Sequence, residues 1–330
     1  MSKPLAADVF LDASIVRSLP LRERIGINIR AENVHDAAEK IKNASMGGFR
    51  QVWMTSSGSG FRDTLTLYAA VAGQIDNIRL GTSIVQIYTR HPVVTAQQVL
   101  AINDVASGRF RLGVGVSHRP IIEERYGISM QEPLSYIKEY VNLLKNLLSK
   151  GKVDFSGRHF RVNFSMQQTA MVPILMGALG PKSFELAGEI SDGAISWMCP
   201  PSYLRTKAIE ALKKGSRKGQ RQQPPLIAEM MIAMSEDERK VLEAAMQNVH
   251  FYAQMPFYKN MFREAGYDLI DDKSKRELAN SLTVWGKKEV VHDSIAHLLE
   301  DGIDELLLTH LVVDKQSEEI ARLYEVINRL

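Results

Sequence analysis

The sequence predicts an α/β protein, a parallel (β/α)8 TIM barrel, on three observations. Eight short apolar segments suited to buried strands alternate with segments of helical periodicity through residues 24–330, the pattern of repeated β/α units. Residues 79–118 display one unit in full: the strand R-L-G-T-S-I-V-Q-I, a helix opened by Pro92 and closed by Gly108, and the strand F-R-L-G-V-G-V running into Ser117-His118. Small turn-forming residues gather after strands, as S-S-G-S-G at 56–60 and G-A-L-G-P at 177–181, where ligands sit in folds of this kind. A doubly wound open sheet is the competing architecture for the same alternation.

Residues 1–23 have mixed composition and read as an N-terminal arm on the surface or on a neighbouring subunit. The first strand is 24–29 (R-I-G-I-N-I). Asn33 then caps a helix with Val34, Ala37, Ala38 and Ile41 at helical spacing, ended by Gly47-Gly48. The second strand is 51–55 and a helix over 62–73 leads to the third, 80–87. Pro92 cannot extend a ladder but suits a first helical turn, and Ala96, Val99, Leu100 and Ile102 share a face of the helix that follows. The fourth strand, 110–116, carries glycines at 113 and 115, where something must approach the backbone closely.

Pro133 opens an amphipathic helix with Leu134, Ile137, Val141, Leu144 and Leu148 on one face. Residues 153–163 alternate around Ser156-Gly157 as a β-hairpin, within an insertion near 151–172. Strands five to seven are 173–176, 193–199 and 226–234, with helices over 182–190, 205–218 and 236–249 between and after them. The basic face of 205–218 reads as solvated. Residues 250–283 form a second insertion, a helical segment rich in aromatics and methionine: a packed lid, a subunit interface or a pocket wall. The eighth strand is 304–311, and Ile320, Leu323, Ile327 and Leu330 stripe the last helix. Everything from 24 to 330 reads as one barrel domain.

With 330 residues and 45% hydrophobic content the chain can bury a large core, and 24% charged residues suit an ordinary soluble surface. A net charge of +3, with no basic run interleaved with aromatics, does not point to nucleic acid or a membrane surface. The lone Cys199 excludes an intramolecular disulfide framework, so a reducing, cytoplasmic setting is expected. No apolar stretch is long enough to span a bilayer, and Asp8, Asp12 and Arg17 interrupt any leader-like beginning. A small-molecule substrate and a homodimer are expected.

Several stretches could carry chemistry. G-A-L-G-P at 177–181 follows a strand and opens a helix, so its amides and the helix dipole could hold a phosphate, or it could be a plain connection. It lacks the ending of a P-loop. Gly81-Thr82-Ser83-Ile84 inside a buried strand suggests either a structural bulge or a peptide set against a planar ligand. His118, at the end of strand four, could move a proton near neutral pH or could be a hydrogen-bonded surface histidine; His91 has the same ambiguity. The scattered histidines and single cysteine supply no metal set. Residues 56–60 miss the nucleophile-elbow pattern by one position, and Gly113-Val114-Gly115 lacks the third glycine of a dinucleotide fingerprint.

Taken together, L-G-T-S-I…Y-T-R-H-P (80–92), S-G-R-F-R-L-G-V-G-V-S-H (107–118), V-D-F-S-G-R-H-F (153–160), I-L-M-G-A-L-G-P-K-S-F-E-L-A-G-E-I-S-D-G (174–193), W-M-C-P-P (197–201) and Y-A-Q-M-P-F-Y (252–258) resemble the bacterial-luciferase-like flavin and deazaflavin oxidoreductases. The branch resembled contains methylenetetrahydromethanopterin reductase and other enzymes dependent on coenzyme F-420. Any single string is weak; the ordered set is specific. The resemblance implies a barrel with luciferase-like insertions, whose carboxyl-end loops hold a planar tricyclic cofactor, coenzyme F-420 or alternatively FMN. In the family a non-prolyl cis peptide after strand three supports the ring, and here it would fall at Ser83-Ile84. The cofactor phosphate would lie on Gly177, Ala178, Leu179 and Gly180, with Val116 and Ser117 along the ring or ribityl side and Thr55 on the opposite wall.

His118 aligns with an acidic residue of the family's sugar-phosphate dehydrogenase and is the candidate proton donor or acceptor. Several relatives carry Asp-His where this chain has Ser56-Ser57, which argues against a sugar phosphate as substrate. The implied activity is hydride transfer between coenzyme F-420 and a small organic substrate. A flavin monooxygenase using reduced FMN, and a barrel that binds the cofactor without turnover, are the alternatives.

Overall fold

A computed structural model describes residues 6–56 and 62–330. Part of the loop expected at 56–60, including Ser57 and the near-miss elbow, therefore lies outside the described residues. The strands are β1 Ile25–Ile29, β2 Gln51–Met54, β3 Arg79–Thr82, β4 Val85–Gln86, β5 Phe110–Gly115, β6 Lys152–Ser156, β7 Arg161–Ser165, β8 Ile174–Gly177, β9 Ala194–Trp197, β10 Leu226–Ala233, β11 Thr283–Trp285 and β12 Glu305–His310. β1, β2, β3, β5, β8, β9, β10 and β12 pair in that order, all parallel, and β1 pairs with β12 to close the ring. This is an eight-stranded α/β barrel wrapped by helices. No helix among the described residues is long and apolar enough to cross a membrane.

The inner face of the barrel is layered. At the amino-terminal end Glu305 takes a bidentate pair from Arg111 at 2.7 and 2.8 Å, and Gln51 donates to the same carboxylate. Above it Trp53, Leu175, Ile195, Ile227 and Leu307 form a closed apolar layer. Asn28, Ser83, Glu229 and Thr309 make the top layer, with Glu229 and Thr309 two residues beyond Ile227 and Leu307 on their strands. Alternation along each strand thus puts ions at the base, a hydrophobic plug in the middle and polar groups at the mouth.

The structure departs from three sequence expectations. The strand expected over 80–87 is broken after Thr82: Ser83-Ile84 is a cis peptide, and the chain resumes as β4 beside β5. The glycines of 113 and 115 admit that detour, since a Cβ on Gly113 would lie 2.0 Å from the Thr82 carbonyl oxygen and one on Gly115 would meet the Ile84 side chain. The segment 250–283 is helical over Pro256–Glu264 and Asp272–Ser281, but its last residue begins β11, which adds to the upper half of β10.

The described residues before β1, from 6 onward, do not lie over the surface, one of the two placements expected; they seal the base of the barrel. Phe10 is fully buried with the guanidinium of Arg79 4.3 Å and that of Arg111 5.0 Å from its ring centroid. Arg17 donates to Asp304 at 2.6 Å, and the Ala7 and Ala13 amides donate to Gly108 and Gln223. The β6–β7 hairpin docks through Phe160 on Tyr136 and on His91, whose Nδ1 caps the helix Pro92–Val105. That contact makes His91 structural.

Candidate active site

A cavity of about 1670 Å³ opens at the carboxyl ends of the barrel strands. It is lined by all nine residues named for the cofactor and by His118. Thr55 ends the second strand unit, Ser83 and Ile84 form the cis peptide, Val116 and Ser117 follow β5, and residues 177–180 follow β8. Ser117 has φ 63°, a left-handed conformation uncommon for serine, and its Oγ accepts from Gln86 at 3.0 Å.

The cis peptide is held from three sides. Thr55 Oγ1 donates to the Ser83 carbonyl at 2.9 Å, Asn28 Nδ2 donates to Ser83 Oγ at 3.0 Å, and the Ser56 amide donates to the Ile84 carbonyl at 3.1 Å. Asn28 also donates to Thr55 Oγ1 and to Glu229, while Thr309 Oγ1 donates to Glu229 at 2.8 Å. Ser83, Thr55 and the Glu229 carboxyl thus belong to one connected polar floor. Burial pushes the Glu229 carboxyl up to about 7, against hydrogen bonds from Thr309, Asn28 and Ser83 that favour the charged form. A group poised there can give or take a proton at neutral pH.

Sequence reading did not single out Glu229, Asn28 or Thr309. The available signal was a lone carboxylate inside the apolar run L-I-A-E-M-M-I-A, which no solvent-facing alternation explains.

His118 faces the rings of Tyr252 and Tyr258, with centroids 5.9 and 5.4 Å away. Its Nδ1 is buried without a hydrogen-bond partner among the described residues, and burial lowers its pKa to about 4. The imidazole is therefore neutral over the working range of most proteins. Tyr252, Phe257, Tyr258 and Met261 line the cavity, so the aromatic segment serves as its wall.

At the far rim, Gly180 caps the helix Pro181–Ile190. The Ala178 amide already donates to Ile195 and that of Leu179 to Ser183 Oγ. An anion at this turn would find the amides of Gly180 and Lys182, which have no partner among the described residues, and the positive end of the helix. Among the described residues no cluster of His, Cys, Asp and Glu could hold a metal ion.

The model of the luciferase-like monooxygenase family matches residues 18–305. The chain is 30% identical over 227 residues to the 5,10-methylenetetrahydromethanopterin reductase of Methanolobus tindarius, covering 68% of this chain and 69% of that one. Two solved structures share the fold. A coenzyme F-420-dependent secondary alcohol dehydrogenase with a coenzyme–acetone adduct has a TM-score of 0.76 at 21% identity, covering 92% of this chain and 98% of the other. The coenzyme F-420-dependent tetrahydromethanopterin reductase of Methanopyrus kandleri has a TM-score of 0.75 at 19% identity, with 93% and 98% covered.

Proposed function

The chain belongs to the luciferase-like monooxygenase family of oxidoreductases, and we propose that within it this protein is a coenzyme F-420-dependent enzyme transferring a hydride to or from a small organic substrate. The observation that carries this reading is the polar floor of the cavity, where Thr55 and Asn28 hold the Ser83-Ile84 peptide and Glu229 joins the same hydrogen-bonded set. A flat ring would rest on that peptide and on Ile84, with Val116 and Ser117 at its side. Its phosphate would reach the first turn of the helix Pro181–Ile190. When bound, the deazaflavin ring supplies the hydride chemistry.

The protein's own residues supply orientation and proton balance. Glu229, with a carboxyl near 7 and two donors fixing Oε1, exchanges the proton that accompanies hydride transfer. His118 is neutral and stands between Tyr252 and Tyr258 beside the reacting partners; its Nδ1 is buried without a partner among the described residues. The aromatic wall excludes water, which strengthens each of these contacts.

The test is a paired spectral titration of the full chain with coenzyme F-420 and with FMN. Tighter coenzyme F-420 binding is expected; tighter FMN binding overturns the assignment and favours the reduced-flavin monooxygenase.

A further inference from the structure

The cavity exceeds what one ligand needs. Sites for single ligands and cofactors occupy roughly 300–1,000 Å³, and this one measures about 1670 Å³. The surplus does not all lie over the barrel mouth. Its lining continues past the ends of β1 and β12 into a cleft between the helices Val34–Met46 and Gln316–Ile327, where Asn43, Ala44, His310, Ser317, Ile320 and Tyr324 contribute to the wall. Glu305, Leu307 and Thr309 of β12 point into the barrel, so the alternation of the strand turns His310 outward to this cleft.

His310 stands beside a buried carboxylate. Its Nε2 lies 2.9 Å from Oε2 of the fully buried Glu319, whose Oε1 accepts from the backbone amides of Val313 at 3.2 Å and Asp314 at 2.7 Å. The pair does not meet hydrogen-bond geometry, and Nε2 is buried with no hydrogen-bond partner among the described residues. A carboxylate can only accept, however, and a lone pair on Nε2 at that distance would repel it, so we assign the ring proton to Nε2. Burial outweighs the Glu319 charge and lowers the imidazole pKa. Nδ1 is therefore a lone-pair acceptor. It has no partner among the described residues, and His310 lines the cavity.

We propose that this cleft seats the end of the substrate remote from the reacting carbon, a flat apolar group bearing an N–H or O–H that donates to Nδ1 of His310. The proposal rests on the barrel mouth being the cofactor site, because only then does the cleft open beside the reacting centre. Ala44, Ile320 and the Tyr324 ring supply the apolar walls. Binding energy gathered there orients the reacting end without touching it.

The experiment compares indole with benzofuran, the same shape with the N–H donor replaced by an ether oxygen. Binding is measured by isothermal titration on the full chain, with and without oxidised coenzyme F-420. Indole is expected to bind in both cases and to be preferred about three- to tenfold, the range of one neutral hydrogen bond. Asn43→Trp, which fills the cleft, is expected to weaken indole binding at least tenfold and leave the coenzyme titration unchanged. Ser317→Trp, on the exposed first turn of the last helix, should act the same way should Asn43→Trp fail to fold.

Glu319→Gln can keep its carbonyl on the Val313 and Asp314 amides and turn an N–H toward Nε2. That moves the ring proton to Nδ1 and should reverse the preference to benzofuran. Failure of indole to bind, equal binding to the filled variants, or an unchanged preference in Glu319→Gln overturns the proposal. If the indole results hold and coenzyme F-420 does not bind, the cofactor reading falls instead and the cleft remains a ligand site.

Discussion

Replacing Glu229 by Gln is expected to stabilise the protein above neutral pH while removing its activity. Burial raises the carboxyl from 4.5 to about 7. The difference, about 2.5 (7 − 4.5) at roughly 1.36 kcal/mol each, amounts to about 3 kcal/mol. The sign follows from linkage. The folded protein holds this proton more tightly than the unfolded chain does, so the contribution is fully present below pH 4.5 and is lost as pH rises through about 7. Glutamine cannot ionise and does not incur that loss. Its amide can donate to Ser83 Oγ while its carbonyl keeps the bonds from Asn28 and Thr309.

Calorimetric scans should show the variant matching the wild type near pH 4.5. At pH 8 it should melt about 4 °C higher, the shift that about 3 kcal/mol produces in a chain of 330 residues. Turnover should fall by about 10²–10⁴, the range of a lost general acid or base. A melting difference that does not change with pH would refute the claim that Glu229 is held protonated by burial; unchanged turnover would remove it from the proton path.

Gly180→Asp places a carboxylate at the open first turn, where a Cβ meets nothing within 4 Å. Repulsion of a bound phosphate, screened by solvent at this half-exposed position, should weaken coenzyme F-420 binding by about 2 kcal/mol, near thirtyfold. Retained affinity would move the anion site elsewhere. His118→Ala should lower turnover much more than cofactor affinity. Because His118 is neutral above about pH 4, the break in the wild-type pH–rate profile near 7 should persist in this variant and vanish in Glu229→Gln. Phe10→Ala removes the ring buried against Arg79 and Arg111 and should cost about 3–5 kcal/mol in denaturant unfolding; a cost below about 1 kcal/mol would mean that the N-terminal segment does not hold the base. Light scattering should give twice the 37.0 kDa chain mass, and a monomeric mass would exclude the expected homodimer.

The barrel was legible because its signals are local. Strand runs, capping residues such as Asn33 and helix-opening prolines at 92, 133 and 181 each act within a few residues of where they stand. The oddity of Gly81 through Ile84 was legible too, and it marks the break between β3 and β4. What stayed hidden depends on distance in sequence. Asn28 and Glu229 are 201 residues apart and meet only when the ring of strands closes. The arginines at 79 and 111 give no sign of a partner until Phe10 is seen against both, so the N-terminal stretch read as an arm. β11 has three residues and follows a polar helix, too short for any periodicity to show. At 177–180 the turn was recognisable as a candidate anion site, but the prior engagement of the Ala178 and Leu179 amides was not.

The most direct test is a crystal structure of the full chain with oxidised coenzyme F-420. The deazaflavin ring is expected against Ser83-Ile84, with the phosphate in hydrogen-bond reach of the Gly180 and Lys182 amides. A ring bound away from that peptide, or a phosphate held on another side of the barrel mouth, would contradict the account.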